Sequence, residues 1–118
     1  MSLTQAEAFA RIRLLRSAHV GPISYRQLLA RFGTAAAALE ALPDLAARGA
    51  RRDYRPAPVE RVTREVEAAR AAGARYLFHD QPDYPALLAE LESAPPILTW
   101  RGDLALARDV VGRRTRPC

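Results

Sequence analysis

Apolar positions recur at helical spacing through the first half of the chain and shift to strand-like runs only in its later part. Phe9, Ile12 and Leu15 recur at threes in an otherwise polar, alanine-rich segment, which predicts one buried stripe of a helix. His19-Val20-Gly21-Pro22 breaks that helix, because Gly and Pro together punctuate helices strongly. Ser24 and Gln27 then have the spacing of a capping box, with Ile23 placed to staple onto Leu28. Tyr25, Leu28, Leu29 and Phe32 continue a helical face, and Gly33 supplies the left-handed residue that closes it. Thr34 is the expected cap of a third helix, whose apolar face is Ala38, Leu39 and Leu42 and which Pro43 stops. One more turn, Leu45 to Arg48, starts at Asp44 and closes at Gly49.

Arg51-Arg52-Asp53-Tyr54-Arg55-Pro56-Ala57-Pro58 has no periodicity and reads as a charged, Pro-punctuated linker. Beyond it, Val59, Val62, Val66 and Ala69 line one side of a longer helix that ends at Gly73. Arg75-Tyr76-Leu77-Phe78 is β-prone and predicts a strand. Asp80 to Pro85 is turn chemistry, with Pro85 suited to open a helix bearing Leu87, Leu88 and Leu91. Pro95-Pro96 ends that helix, Ile97 to Trp100 predicts a second strand turning at Arg101-Gly102, and Val110-Val111-Gly112 opens a third. The organisation is a helical module, residues 1–57, followed by the start of an α/β unit, residues 58–118.

Composition narrows the class. At 118 residues the chain holds one domain or two small ones. Apolar residues make up 49% and charged residues 26%, as in a globular protein. The net charge is +5, and all 18 basic residues are arginine, with no lysine and no asparagine. That balance favours a polyanionic partner. Beside 24 alanines, the arginine excess also fits the codon usage of a GC-rich genome, which weakens the charge as a clue. No apolar run is long enough for a membrane span, and the first ten residues lack the basic-then-apolar order of a secretory signal. A single cysteine, Cys118, excludes a disulfide framework or a CxxC metal site. A cytoplasmic protein without cofactors is expected.

Candidate chemistry is confined to basic surfaces. The break at Val20-Gly21-Pro22 between two helices allows backbone N–H groups at a helix start to meet a phosphate, with Arg16, Arg26 and Arg31 as counter-charge. The alternative is a compact bundle turned by Gly21 and Pro22, and the absence of paired glycines favours it. Arg51, Arg52 and Arg55 around Tyr54 have the basic-plus-aromatic pattern of a single-strand surface, against the plain alternative of a solvated linker. His19 and His79 are lone histidines. His79, Asp80 and Asp83 share one loop, where turn and cap roles are the ordinary use of such residues. No phosphate-binding glycine loop or nucleophile elbow is present, so the sequence argues against an enzyme.

At Asp83-Tyr84-Pro85, Leu87-Leu88, Pro95-Pro96-Ile97-Leu98 and Arg101-Gly102 the chain resembles the DNA-processing protein A (DprA/Smf) family. The upstream series Leu14-Leu15, Val20-Gly21, Leu28-Leu29 and Phe32-Gly33 is similar to that family's N-terminal helical domain. The resemblance implies an α+β to α/β chain: a sterile-alpha-motif-like, helix-hairpin-helix-like domain followed by the first β-α-β elements of a Rossmann-like domain. It also implies a non-catalytic recombination mediator of natural transformation, which binds single-stranded DNA and helps load the RecA recombinase. Val111-Gly112-Arg113-Arg114 stands where the family's phosphate-gripping turn begins, which makes Gly112 and Arg113 nucleic-acid-binding residues.

Only Thr115-Arg116-Pro117-Cys118 follows, so the expectation is a truncated Rossmann-like domain without the family's dimerisation surface. DNA binding is then expected to be weak and electrostatic, resting on Gly112, Arg113, Arg51, Arg52 and Arg55. The runner-up is a helical protein-interaction module whose arginines serve solubility.

Overall fold

The computed structural model describes residues 3–49, 51–91 and 94–101. Along them run α1 (Gln5–Arg16), α2 (Pro22–Phe32), α3 (Ala35–Arg48), α4 (Val59–Ala71), β1 (Ala74–Phe78), α5 (Ala86–Ala89) and β2 (Ile97–Arg101). The chain forms two compact units, residues 1–66 and 67–118, divided within α4.

In the first unit, α1 begins at Thr4, whose Oγ1 accepts the Glu7 N–H at 3.0 Å. Its buried side chains are Ala10, Arg11, Ile12 and Leu14. This differs from the expected stripe: Leu14 is fully enclosed, whereas Phe9 and Leu15 are half-buried. The reason is that α1 is covered by α3 and α2 and also by the segment 51–58, so its buried face is broader than one stripe. At its end the Ser17 hydroxyl donates to the Arg13 carbonyl at 2.8 Å.

Helix α2 starts two residues before the expected Ser24 cap. Gly21 is the N-cap and Pro22 opens the first turn, where its fixed φ and missing N–H suit the position. Ser24 therefore lies inside the helix, and Ile23 is 73% exposed, so no staple forms. Gly33 closes α2 as expected: its φ is +85°, and its N–H donates to the Leu29 carbonyl at 2.8 Å.

Pro43 does not stop α3. The helix passes through it to Arg48, and the expected extra turn at Leu45 to Arg48 is its last turn. A proline inside a helix forgoes one backbone bond and costs about 3 kcal/mol. Tertiary burial outweighs that cost, since Ala35, Ala38, Leu39 and Leu42 of α3 are all buried, where α3 packs on α1 and α2. Two acceptors hold the start of α3: Thr34 Oγ1 takes the Ala37 N–H at 3.1 Å and Glu7 Oε2 takes the Ala35 N–H at 2.7 Å. With Tyr25 and Val62, these side chains and Leu14 make the core of the unit.

The segment 51–58 is aperiodic, as its composition predicts, yet it is no loose connector. The Ala57 N–H donates to Ser17 Oγ at 3.0 Å, Arg13 Nε donates to the Ala57 carbonyl at 2.7 Å, and the Tyr54 hydroxyl donates to the Ala18 carbonyl at 2.6 Å. A chain with no ladder partners thus satisfies its polar groups on the end of α1. It belongs to the same unit as α1, α2 and α3.

In the second unit, α4 gives way at Gly73, whose φ is +76°. Strands β1 and β2 pair antiparallel, from Ala74 opposite Arg101 to Phe78 opposite Ile97. The expected β-α-β order is present, but its two strands pair antiparallel rather than by the parallel return of a Rossmann-like unit. A parallel return needs a crossover carrying a substantial helix, whereas α5 is a single turn. The ladder is continued by the His79 N–H, which donates to the Pro96 carbonyl at 2.9 Å. Leu77, Phe78, Tyr84 and Ala94 are buried here, and Tyr84 donates its hydroxyl to the Pro95 carbonyl at 2.7 Å. The third strand expected at Val110-Val111-Gly112, and with it any Rossmann-like continuation, lies outside the described residues.

Candidate nucleic-acid interface

Arg51, Arg52 and Arg55 are exposed on a segment anchored at both ends. The Arg51 N–H donates to the Ala46 carbonyl at 2.8 Å, joining the segment to the end of α3, while Tyr54 and Ala57 tie it to α1. The three guanidinium groups are therefore carried by a fixed support rather than a free chain. Their long side chains still keep water, so a phosphate is exchanged for solvent at low cost.

Tyr54 itself is a pin. Its ring is half-buried, lies 6.5 Å from the His19 ring, and is held through its hydroxyl on Ala18. Burial raises the phenol above its ordinary value, with the Ser17 hydroxyl and the Arg51 charge pulling it partly back. The basic-plus-aromatic pattern read from the sequence is thus divided: the arginines face solvent, and the aromatic secures the fold that presents them.

Beside this segment lies a cleft of about 270 Å³, bounded by the turn after α1, by α2 and by the end of α3. Leu28, Leu42 and Leu45 give it an apolar floor, and Arg31, Arg51 and Gln27 stand at its polar side. Among the described residues no carboxylate lines it. Sequence reasoning missed that Arg31 and Arg51 line one cleft, because the two belong to segments joined only through tertiary packing. The available signal was the break at His19 to Pro22, which brings the start of α2 back over α3. His19 has a φ of +68°, a left-handed conformation that makes this reversal tight.

The other hinge arginines have different roles. Arg16 makes a two-bond pair with Glu65, at 2.9 and 3.0 Å, and Arg26 is half-buried; neither lines the cleft. Arg31 sits with its guanidinium 5.0 Å from the centre of the Phe32 ring, a cation–π contact that orients it. Gly21 caps α2 without any side-chain bond, and no acidic residue occupies that first turn.

Gly112 and Arg113 lie outside the described residues. In the second unit the contacts of His79 and Asp83 are with other groups of the fold. A ring nitrogen of His79 is 3.2 Å from the Ala89 carbonyl, its ring meets Tyr84 edge-on at 5.3 Å, and Asp83 is 3.7 Å from Arg75. These are contacts that close a turn. Among the described residues no cluster of metal-ligating side chains occurs, and no helix is long and apolar enough to cross a membrane.

Residues 5–68 match the family model of the DprA-like N-terminal HHH domain. The match begins with α1 and ends within α4, taking in the anchored basic segment and the cleft. No curated protein matches the chain. With more than half of its length in that match, the chain belongs to the DprA family and carries the family's N-terminal portion.

Proposed function

We propose that this chain is a non-catalytic DNA-processing protein whose helical unit holds single-stranded DNA by its phosphate backbone. The observation that carries this reading is the exposed trio Arg51, Arg52 and Arg55 on a segment tied to α1 and α3. Family membership supplies the relation to DNA processing. Gly112 and Arg113 add a second phosphate contact in this reading, and RecA is the partner that would receive the bound strand in natural transformation.

Contacts of this kind are electrostatic and independent of sequence, so affinity falls as salt displaces the arginines from phosphate. Each phosphate neutralised on a single strand contributes a slope of roughly −0.7 in log affinity against log salt. A titration of fluorescent single-stranded DNA at several salt concentrations tests the reading. Binding that weakens steeply with salt and ignores base sequence is expected. Binding absent at low salt, or indifferent to salt, overturns it.

A further inference from the structure

We propose that the cleft between α2 and the end of α3 receives one unstacked nucleobase, together with its phosphate, from the bound single strand. This inference rests on the function proposed above and adds a base-binding pocket to a backbone-binding surface. Three properties of the cleft point to such an occupant. Its volume of about 270 Å³ lies just under the roughly 300 Å³ at which ordinary small-molecule pockets begin, so a unit of nucleotide size is favoured over anything larger. Its floor of Leu28, Leu42 and Leu45 offers an apolar surface to a flat ring, and Gln27 places an amide donor and acceptor beside it. Arg31 and Arg51 supply two positive charges, and no carboxylate lies in the lining among the described residues. Such a lining favours a ligand with an apolar face and an anionic end.

Continuity with the proposed backbone surface selects a strand over a free nucleotide. Arg51 belongs both to the cleft and to the exposed trio, so a strand running along residues 51–55 passes the mouth of the cleft. Tyr54, pinned by its hydroxyl, closes one side as a wall and does not swing out to stack.

The test compares two oligomers of about a dozen units, a length within the usual footprint of single-strand binders. One is oligothymidylate and the other has the same phosphates with every base removed. The 118-residue chain is expected to bind the abasic oligomer at least about fivefold more weakly, the lower end of what one sequestered base contributes. Gln27→Ala, at an exposed site, and Leu45→Ser are each expected to narrow that gap while leaving the salt slope unchanged. Circular dichroism checks that both variants fold. Equal affinity for the two oligomers overturns the pocket and leaves the backbone reading standing. Failure to bind either oligomer overturns both. Thymidine monophosphate binding as tightly as the oligomer also overturns the proposal, since it marks a free-nucleotide site.

Discussion

Tyr54 shows how a residue with two readings in the sequence acquires one in the fold. Beside three arginines it looked like a stacking platform, yet its hydroxyl closes a 2.6 Å bond to Ala18 and its ring supports the turn at His19. Tyr54→Phe is expected to lower stability by about 1 kcal/mol, the usual net worth of one hydrogen bond, measured by urea unfolding. The pH dependence has a definite sign. A phenol raised in the folded state contributes stability that is complete below about pH 10 and lost as pH rises through the folded value. The stability difference between wild type and Tyr54→Phe should therefore shrink above pH 10. Constancy across that range would contradict the assignment. Glu7 is a second such residue, since one carboxylate oxygen serves both the Ala35 N–H at 2.7 Å and Arg11 Nε at 3.3 Å. Glu7→Ala removes a charged cap from α3 and is expected to cost about 2 kcal/mol, again by urea unfolding. No pattern in the sequence announces this pair, because Glu7 and Ala35 come together only when α1 packs on α3.

At the scale of elements, local signals were legible wherever they depended on near neighbours. Thr34 as the cap of α3, Gly33 at positive φ and the β-prone run ending in Phe78 all stand where the sequence places them. The misreadings share a cause, which is packing acting over local propensity. Pro43 reads as a stop because it removes a backbone bond, but the buried face of α3 extends on both sides of it. Pro43→Ala restores an N–H for the carbonyl of Leu39 and should raise stability by about 2 kcal/mol, after allowing about 1 kcal/mol for the freer unfolded chain. A thermal melt that falls instead would show that the proline shapes the packing of α3. The antiparallel pairing of β1 with β2 was hidden for a related reason. Strand direction depends on what fills the connection, and the helix expected there is only the single turn of α5.

At the scale of the molecule, the net charge of +5 turns from a compositional clue into a question of placement. Arg16 is consumed by Glu65 and Arg11 lies buried beside Glu7, so neither offers a free surface charge. Arg51, Arg52 and Arg55 face solvent together from an anchored segment. The helical family portion was legible from the order of its breaks and caps, because those depend on short-range chemistry. The cleft beside it was not, because it is assembled from α2, α3 and residues 51–54 through tertiary contact. The central claim is that those three arginines hold single-stranded DNA. Its most direct test is fluorescence anisotropy of a labelled oligothymidylate with wild type and with Arg51, Arg52 and Arg55 all changed to Ser, across a range of salt. The triple variant should bind at least about tenfold more weakly at low salt, with a log–log salt slope shallower by about 2, three phosphate contacts being lost. Unchanged affinity and slope in a folded triple variant would contradict the account.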